Sequence, residues 1–433
     1  MEDILRIGID DTDSKRTMCT TYVAVKALQE LERAGFRRAD YPWLIRLNPN
    51  CPYKTRGNAA LCVSIHAEPA NLGRIAAIVS SAVERWADLE SDGTDPGIVL
   101  AWKGQAEGLR DIYWRALREI IDPAEARRRC EELGIRYLVI KEGRGVVGAA
   151  AAAGADPDSL RTFEAIAYRV PAMWGLERRV DEKSVIEMDK SLAIFTFDNY
   201  DYEKREVRIT PHTPCPVLAG VRSITPQHAE EGLKMVRFLE PVDFFEVFKT
   251  NQAEDLHYLP ARICDLLPNG SYAVRGIVVS KPAVKPGGHV FVNISDGTGE
   301  VTLAAFEPTG SFRRVVEQLV VGDEVLAYGG FKVKGPAAAI NLEKLAILRL
   351  AKVTVKVAPT CNLCGRRMKS MGRSKGYRCE RCGVKRPEQK AVEVDVDRRI
   401  SEGIYEVCVS ARRHLAMPLR IVSFLRHDEH RQS

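Results

Sequence analysis

Two hydrophobic periods alternate along the N-terminal half of the chain. Residues 4–9 form an apolar run of strand length, interrupted only by Arg6. Ala24, Ala27, Leu28 and Leu31 then recur at helical spacing behind Thr20 and Thr21, either of which suits the N-cap. The same reading predicts strands at 41–47, 60–66 and 97–102, an amphipathic helix over 71–89, and helices over 107–121 and 123–133. Residues 135–140 read as another buried strand and 160–167 as a helix, followed by strands at 192–197 and 206–209. Thr225-Pro226 is a helix N-cap with proline at the first helical position.

These elements group into one mixed α/β domain over 1–125 and a ferredoxin-like domain over 126–258. From residue 259 the texture changes. Short strands at 273–279, 289–295, 300–306, 324–330 and 342–350 are split by Gly, Pro and Asp, with a hairpin turn at Asp296-Gly297-Thr298-Gly299. A helix near 315–320 falls between the third and fourth. That order fits an OB-fold β-barrel over 259–352, and a structural barrel without ligand is the plainer alternative. Residues 353–390 hold Cys361-x-x-Cys364 and Cys379-x-x-Cys382, the spacing of a zinc ribbon. Residues 391–433 keep a helical period to about 425 and then turn polar, as a frayed tail would. The fold class is multidomain α+β.

Length and composition narrow the class of protein. A chain of 433 residues predicts two to four domains. No apolar run of about 18 residues exists to span a membrane. Met1-Glu2-Asp3 enters a strand directly, unlike a signal peptide. Eleven cysteines, four of them at metal spacing, indicate a reducing cytoplasm rather than a disulfide framework. The net charge is only +6, yet between Cys361 and Lys390 ten basic residues face two acidic ones. The ribbon alone carries the excess positive charge, which suits a polyanion contact, with Arg366, Arg367 and Lys369 foremost.

The densest candidate chemistry lies near the N-terminus. Asp10, Asp11 and Asp13 follow the first strand and precede the first helix, where carboxylate oxygens suit Mg²⁺ and nucleotide phosphates. A solvated acidic turn explains the same residues. The loop Pro52-Tyr53-Lys54-Thr55-Arg56-Gly57-Asn58 offers Lys54 and Arg56 to phosphate or RNA, or is a plain exposed hairpin loop. Gly143-Arg144-Gly145 opens an alanine run and is a weak phosphate-loop signal, matching neither Walker A nor G-x-G-x-x-G. Its small residues also suit tight helix packing. Asp198 and Asp201 suit a cationic small molecule or a turn, beside the proline-stiffened loop carrying His212, Thr213 and Cys215. Four thiolates at Cys361, Cys364, Cys379 and Cys382 give a closed, structural Zn²⁺ site.

Gly8-Ile9-Asp10-Asp11-Thr12-Asp13-Ser14, Met18-Cys19-Thr20-Thr21 and Pro52-Tyr53-Lys54-Thr55-Arg56-Gly57-Asn58, in that order, resemble the TiaS family of archaeal tRNA(Ile) 2-agmatinylcytidine synthetases. The resemblance runs over essentially the whole chain. It implies a kinase-like first domain, with ATP, Mg²⁺ and structural Zn²⁺ as cofactors and with agmatine and tRNA(Ile) bearing a CAU anticodon as partners. No obligate protein partner is expected. It implies ATP-dependent replacement of the C2 oxygen of the wobble cytidine by agmatine through a phosphorylated cytidine, which lets the anticodon read AUA. By the same resemblance Asp10, Asp11 and Asp13 hold Mg²⁺ and ATP. Thr20 is self-phosphorylated, with Thr17 and Thr21 as competitors. Asp198 meets the agmatine guanidinium, and Asp201, His212, Thr213 and Cys215 wall that pocket. Two rival readings stand beside this one: a non-enzymatic single-strand binder built on the OB-fold and ribbon, and another ATP-dependent RNA-modifying enzyme.

Overall fold

The computed structural model describes residues 3–422; the acidic first two residues and the frayed end expected past residue 425 lie outside it. β1 (Asp3–Asp10), α1 (Thr20–Arg33), β2 (Trp43–Arg46), β3 (Ala59–Ala67), α2 (Leu72–Trp86) and β4 (Gly97–Trp102) form a β-α-β-β-α-β unit. Its strands lie in the order β4-β1-β3-β2, all antiparallel. After α3 (Pro123–Glu132), β5 (Arg136–Val139) and α4 (Val146–Ala153), the pattern repeats. β6 (Thr162–Arg169), α5 (Glu182–Ser191), β7 (Thr196–Phe197), β8 (Val217–Ser223), α6 (Pro226–Met235) and β9 (Val242–Thr250) lie in the order β9-β6-β8-β7. Each unit has the split βαβ arrangement of a ferredoxin-like fold. They merge into one sheet through parallel pairing of β2 with β9, Trp43 opposite Lys249 and Leu44 opposite Thr250.

Side-chain alternation decides which faces are covered. α1 and α2 bury Ile7, Val63, Ile166 and Tyr168 on one face. α4 buries Val99 and Ala101 on the other, with Ala149 to Ala153 fully buried. Small residues are required there. A Cβ on Gly8 would lie 1.9 Å from the Ala149 carbonyl oxygen, and one on Gly148 would lie 1.8 Å from an Asp10 carboxylate oxygen. In the second unit α5 and α6 pack on Ala165, Ala167, Ala219 and Val221. The alternate residues, Glu164, Ile166, Gly220 and Arg222, therefore project from the opposite face, which neither α5 nor α6 covers.

The barrel follows the expected order. β10 (Ser271–Val278), β11 (His289–Ser295), β12 (Glu300–Ala305), α7 (Phe312–Glu317), β13 (Glu324–Lys334) and β14 (Ala337–Arg349) close as β10-β11-β12-β14-β13-β10, the OB topology. β15 (Thr354–Val357) leaves it as one strand of an exposed two-stranded stalk. The ribbon strands β16 (Lys369–Ser370), β17 (Tyr377–Arg378) and β18 (Lys385–Arg386) follow, and β19 (Val392–Asp395) returns along β15. β20 (Gly403–Glu406) then adds to β14.

Several local expectations give way. Residues 160–167 are mostly β6, not helix: the strand is buried on both faces, so its apolar run shows no period of two. Residues 107–121 hold only short helical pieces, the longest Arg110–Ala116. β5 is a half-exposed edge strand rather than a buried one. Only Thr196–Phe197 of the 192–197 strand is paired, and α5 before it has no counterpart in the sequence reading. The described part of the 391–433 tail is strand, turn and a short 3₁₀ piece, with helix only at 419–422, because pairing to β15 and β14 outweighs local periodicity before that. Among the described residues no helix is long and apolar enough to cross a membrane.

Candidate active site

The face of the second unit that α5 and α6 do not cover becomes the floor of a cavity of about 470 Å³. Leu44, Arg46, Leu61, Glu164, Ile166, Gly220 and Arg222 rise from the sheet into it. The rim is the acid loop, the start of α1, the 51–58 loop, the 144–148 turn, the 208–217 loop and His414. The cavity thus straddles the seam between the two units.

The acid loop is tightly built. Asp11 takes a left-handed backbone (φ 59°) and donates its N–H to the Asp10 carboxylate at 2.7 Å. Arg144 reaches Asp11 at 2.8 Å and Arg56 reaches Asp13 at 3.0 Å. Burial raises the Asp10 pKa well above the usual carboxylate range, and the Asp11 charge adds to it. Burial pushes Asp11 up to about 6 despite Arg144. Asp13 is raised by burial, against Arg56. The Thr12 hydroxyl is buried with no hydrogen-bond partner. Three crowded carboxylates that resist ionisation are the donor set a divalent cation relieves, so the residues fit Mg²⁺.

Thr20 is the first residue of α1, and the N-cap is Cys19, in extended backbone with no side-chain cap. That corrects the expected cap at Thr20 or Thr21. Thr20 and Thr21 line the cavity and Thr17 does not. The Thr21 hydroxyl lies 3.1 Å from the Cys19 sulfur, which leaves Thr20 as the phosphoacceptor candidate. Arg56 is less a free phosphate ligand than a staple. Besides Asp13 it donates to the carbonyls of Ser14 at 2.7 Å, Met18 at 2.5 Å and Pro214 at 3.3 Å, tying the acid loop to the 208–217 loop. Lys54 donates to the Pro49 carbonyl, and burial together with Arg413 and Lys332 lowers its pKa to about 8.

Two candidate groups are not free for ligand. The Gly143 and Arg144 amides both donate to the Asp95 carboxylate and the Gly145 amide to the Asp95 carbonyl, so this turn is no open phosphate cradle. Its glycines allow close packing instead: a Cβ on Gly145 would lie 2.6 Å from the Gly97 nitrogen. Asp198 lies outside the cavity lining, paired with Arg412 and, at 3.8 Å, with Arg222. Asp201 accepts the amides of Glu203, Lys204 and Ser410. His212, Thr213 and Cys215 do line the cavity.

The sequence reading missed Arg46, Glu164, Arg178, Arg222 and His414. Glu164 lies 3.5 Å from both Arg46 and Arg222, with Gln252 on the same carboxylate. Burial alone would raise its pKa, but Arg222, Arg46 and Gln252 hold it below the usual value. Arg178 donates to the carbonyls of Pro211, Thr213, Cys215 and Val217 at 2.7–3.1 Å, fixing the loop that three prolines deprive of amide donors. A lone charge inside an otherwise apolar strand, as at Glu164 and Arg222, was the available signal; nothing local marked His414.

In the ribbon the four cysteine sulfurs lie within 4.8 Å of one another, Cys364 and Cys379 at 3.6 Å. Four thiolates about 2.3 Å from one zinc sit about 3.8 Å apart, so the set is tetrahedral and closed. Gly365 and Gly383 turn the two knuckles with φ of 70° and 68°. Arg366 and Arg367 sit exposed beside it, while Lys369 pairs with Glu380 at 2.9 Å.

A basic ribbon and an OB barrel whose charge and fold suit a polyanion, attached to a cavity where carboxylates face a threonine, fit the class of enzymes that act on nucleic acid with a nucleotide as co-substrate. The TiaS TCKD domain model matches residues 6–142 and the TiaS FLD domain model residues 143–257. An OB-fold nucleic acid binding domain matches 272–348 and the TiaS C-terminal zinc ribbon domain 358–400. The isoleucine-tRNA 2-agmatinylcytidine synthetase TiaS of Methanocaldococcus jannaschii is 40% identical over 431 residues, covering 97% of this chain and 99% of that one. That of Archaeoglobus fulgidus is 42% identical over 414 residues, 95% and 96% of the two chains. Apo TiaS superposes with a TM-score of 0.89 at 40% identity, and TiaS in complex with its isoleucine tRNA, AMPCPP and agmatine with 0.85 at 37%; each comparison covers 96% of this chain and 97% of the other. The chain belongs to the TiaS family.

Proposed function

We infer that this chain is an ATP-dependent carbon–nitrogen ligase that joins agmatine to C2 of the wobble cytidine of tRNA(Ile) with a CAU anticodon. The observation that carries the reading is the cavity itself. It sets a buried carboxylate triad and a helix-start threonine over the sheet face that α5 and α6 do not cover, in a chain that continues into an OB-fold and a zinc ribbon. A carbonyl oxygen is a poor leaving group, so the C2 oxygen is first phosphorylated; the agmatine amine then attacks C2 and phosphate departs. Asp10, Asp11 and Asp13 would hold Mg²⁺, which when bound neutralises the phosphates of ATP. Thr20 at the start of α1 stands where a phosphoryl group is favoured by the helix amides. Arg56 and Arg144 keep the acid loop in place, and His212, Thr213 and Cys215 wall the amine's side of the cavity. The four cysteines hold structural zinc, and Arg366 and Arg367 beside it contact tRNA phosphates. Bases that undergo chemistry leave their stack, so the anchor and the cavity work apart.

The test is incubation with unmodified tRNA(Ile) of CAU anticodon, Mg²⁺, ATP and agmatine, then mass spectrometry of the wobble nucleoside. Agmatine attached at that position is expected. ATP untouched in the presence of tRNA would favour a binder, and ATP turnover without agmatine dependence a different modifying enzyme.

A further inference from the structure

Residues 407–422 lie beyond all four matched segments, yet they return from the barrel to the cavity. Arg412 pairs with Asp198 and with Glu406 at 2.7 Å, the His414 carbonyl accepts the Ala253 amide at 2.8 Å, and Arg420 reaches Asp189 at 3.0 Å. This strap sets the His414 ring into the cavity wall. The ring lies against Gly57 of the 51–58 loop: a Cβ there would sit 3.2 Å from His414 Cδ2 and Nε2 and 2.9 Å from Arg46 Nη1. Gly57 makes room for the imidazole.

The reaction read above, on which this inference rests, needs a proton acceptor. The attacking amine must lose a proton as its nitrogen bonds to C2. Most bases on the cavity wall are engaged. Asp11 and Asp13 hold arginines, Glu119 takes Arg115 at 3.2 Å, and Glu164 takes Arg46, Arg222 and Gln252. Arg208 donates to His212 Nε2 at 3.0 Å, and Lys54 donates to a carbonyl. Among the described residues His414 has no hydrogen bond on either ring nitrogen.

We propose that His414 is the general base that receives the proton of the attacking amine. The nitrogen lone pair forms the C–N bond, the C2–O bond breaks, phosphate leaves with that electron pair, and the displaced proton passes to the imidazole. The surroundings keep the ring neutral, so its nitrogens can accept a proton, while the same cations make it a weaker base than a free imidazole. Burial comes first, then Arg46 from β2, Arg222 from β8, Arg413 beside it and Lys54 from the 51–58 loop, together placing its pKa well below the usual value. The carboxylates nearby, Glu164 and Glu343, face those arginines.

The experiment measures agmatine attachment to saturating tRNA and ATP by wild type, His414→Gln, His414→Ala and Gly57→Ala. General-base removal is expected to slow attachment by about 10²-fold or more. The loss should fall in kcat, with the KM for agmatine and the affinities for ATP and tRNA within twofold of wild type. Added imidazole should restore part of the rate to His414→Ala and none to Gly57→Ala, which crowds Arg46 and the ring without deleting it. Wild-type attachment with His414→Gln equally fast, or a loss wholly in KM with no imidazole rescue, overturns the inference alone. Wild type that attaches no agmatine overturns the functional reading and this inference together.

Discussion

At the scale of single residues, burial sets the chemistry of the acid loop. Asp11 has a folded-state pKa near 6, raised mainly by desolvation, so the native metal-free protein holds a proton there that the unfolded chain releases near the ordinary carboxylate value. Its contribution therefore destabilises the metal-free fold as pH rises from that value to about 6. Divalent-cation affinity should fall as pH drops below about 6, measurable by titration calorimetry with Mg²⁺ across pH 5–8. Asp11→Asn should abolish the Mg²⁺-dependent rise in Tm and cost orders of magnitude in turnover, because phosphoryl transfer depends on charge-neutralised phosphates. Unchanged Mg²⁺ stabilisation in that variant would leave the loop a structural turn. A γ-labelled phosphate transferred to the protein should disappear in Thr20→Ala; label persisting there would move the acceptor to Thr21. The acid triad was legible in sequence because its three carboxylates are adjacent. Arg46, Glu164, Arg222 and His414 were not, since strand pairing and a distant return of the chain bring them together.

At the scale of elements, the flush contact of α4 with β1 separates two kinds of glycine. A Cβ on Gly8 meets backbone, the Ala149 carbonyl, which cannot yield without moving the helix. Gly8→Ala should destabilise the first unit by about 1–3 kcal/mol, read as a lower midpoint in urea unfolding. A Cβ on Gly148 meets the Asp10 side chain instead. Gly148→Ala should spare much of that stability and lose ATP-dependent activity, as the carboxylate turns away; equal effects in both assays would refute the distinction. Strands with one wet face, such as those of the barrel, could be read from alternation. β6 could not, because Ala165 and Ala167 are buried beneath α5 and α6 while Ile166 and Tyr168 are buried on the side of α1. β20 was invisible for another reason: its partner β14 lies more than fifty residues earlier, and the pairing overrides a helical period.

At the scale of the whole molecule, the proposed reading separates anchoring from chemistry. The ribbon's buried cluster is Cys361, Met368 and Cys379, with no apolar core of domain size behind it. Chelating the zinc should melt the ribbon and lower tRNA affinity while ATP binding in the N-terminal half persists. Replacing Arg366, Arg367 and Lys369 by Ala should weaken tRNA binding and flatten its dependence on salt, with Lys369 contributing least because Glu380 already neutralises it. A triple variant with an unchanged salt slope would place the anchor elsewhere.

The parallel seam between β2 and β9 also sets a timetable for synthesis. Each β-α-β-β-α-β unit is contiguous in sequence, so the first has all its strands once residue 102 has left the ribosome and the second once residue 250 has. The cavity floor exists only after those two finished units dock along the few residues of β2 and β9, and its wall closes only when His414 arrives. A nascent chain therefore passes through folded but catalytically inert forms for most of its translation. On the proposal above, competence to attach agmatine comes only when His414 arrives, after the barrel and ribbon have emerged.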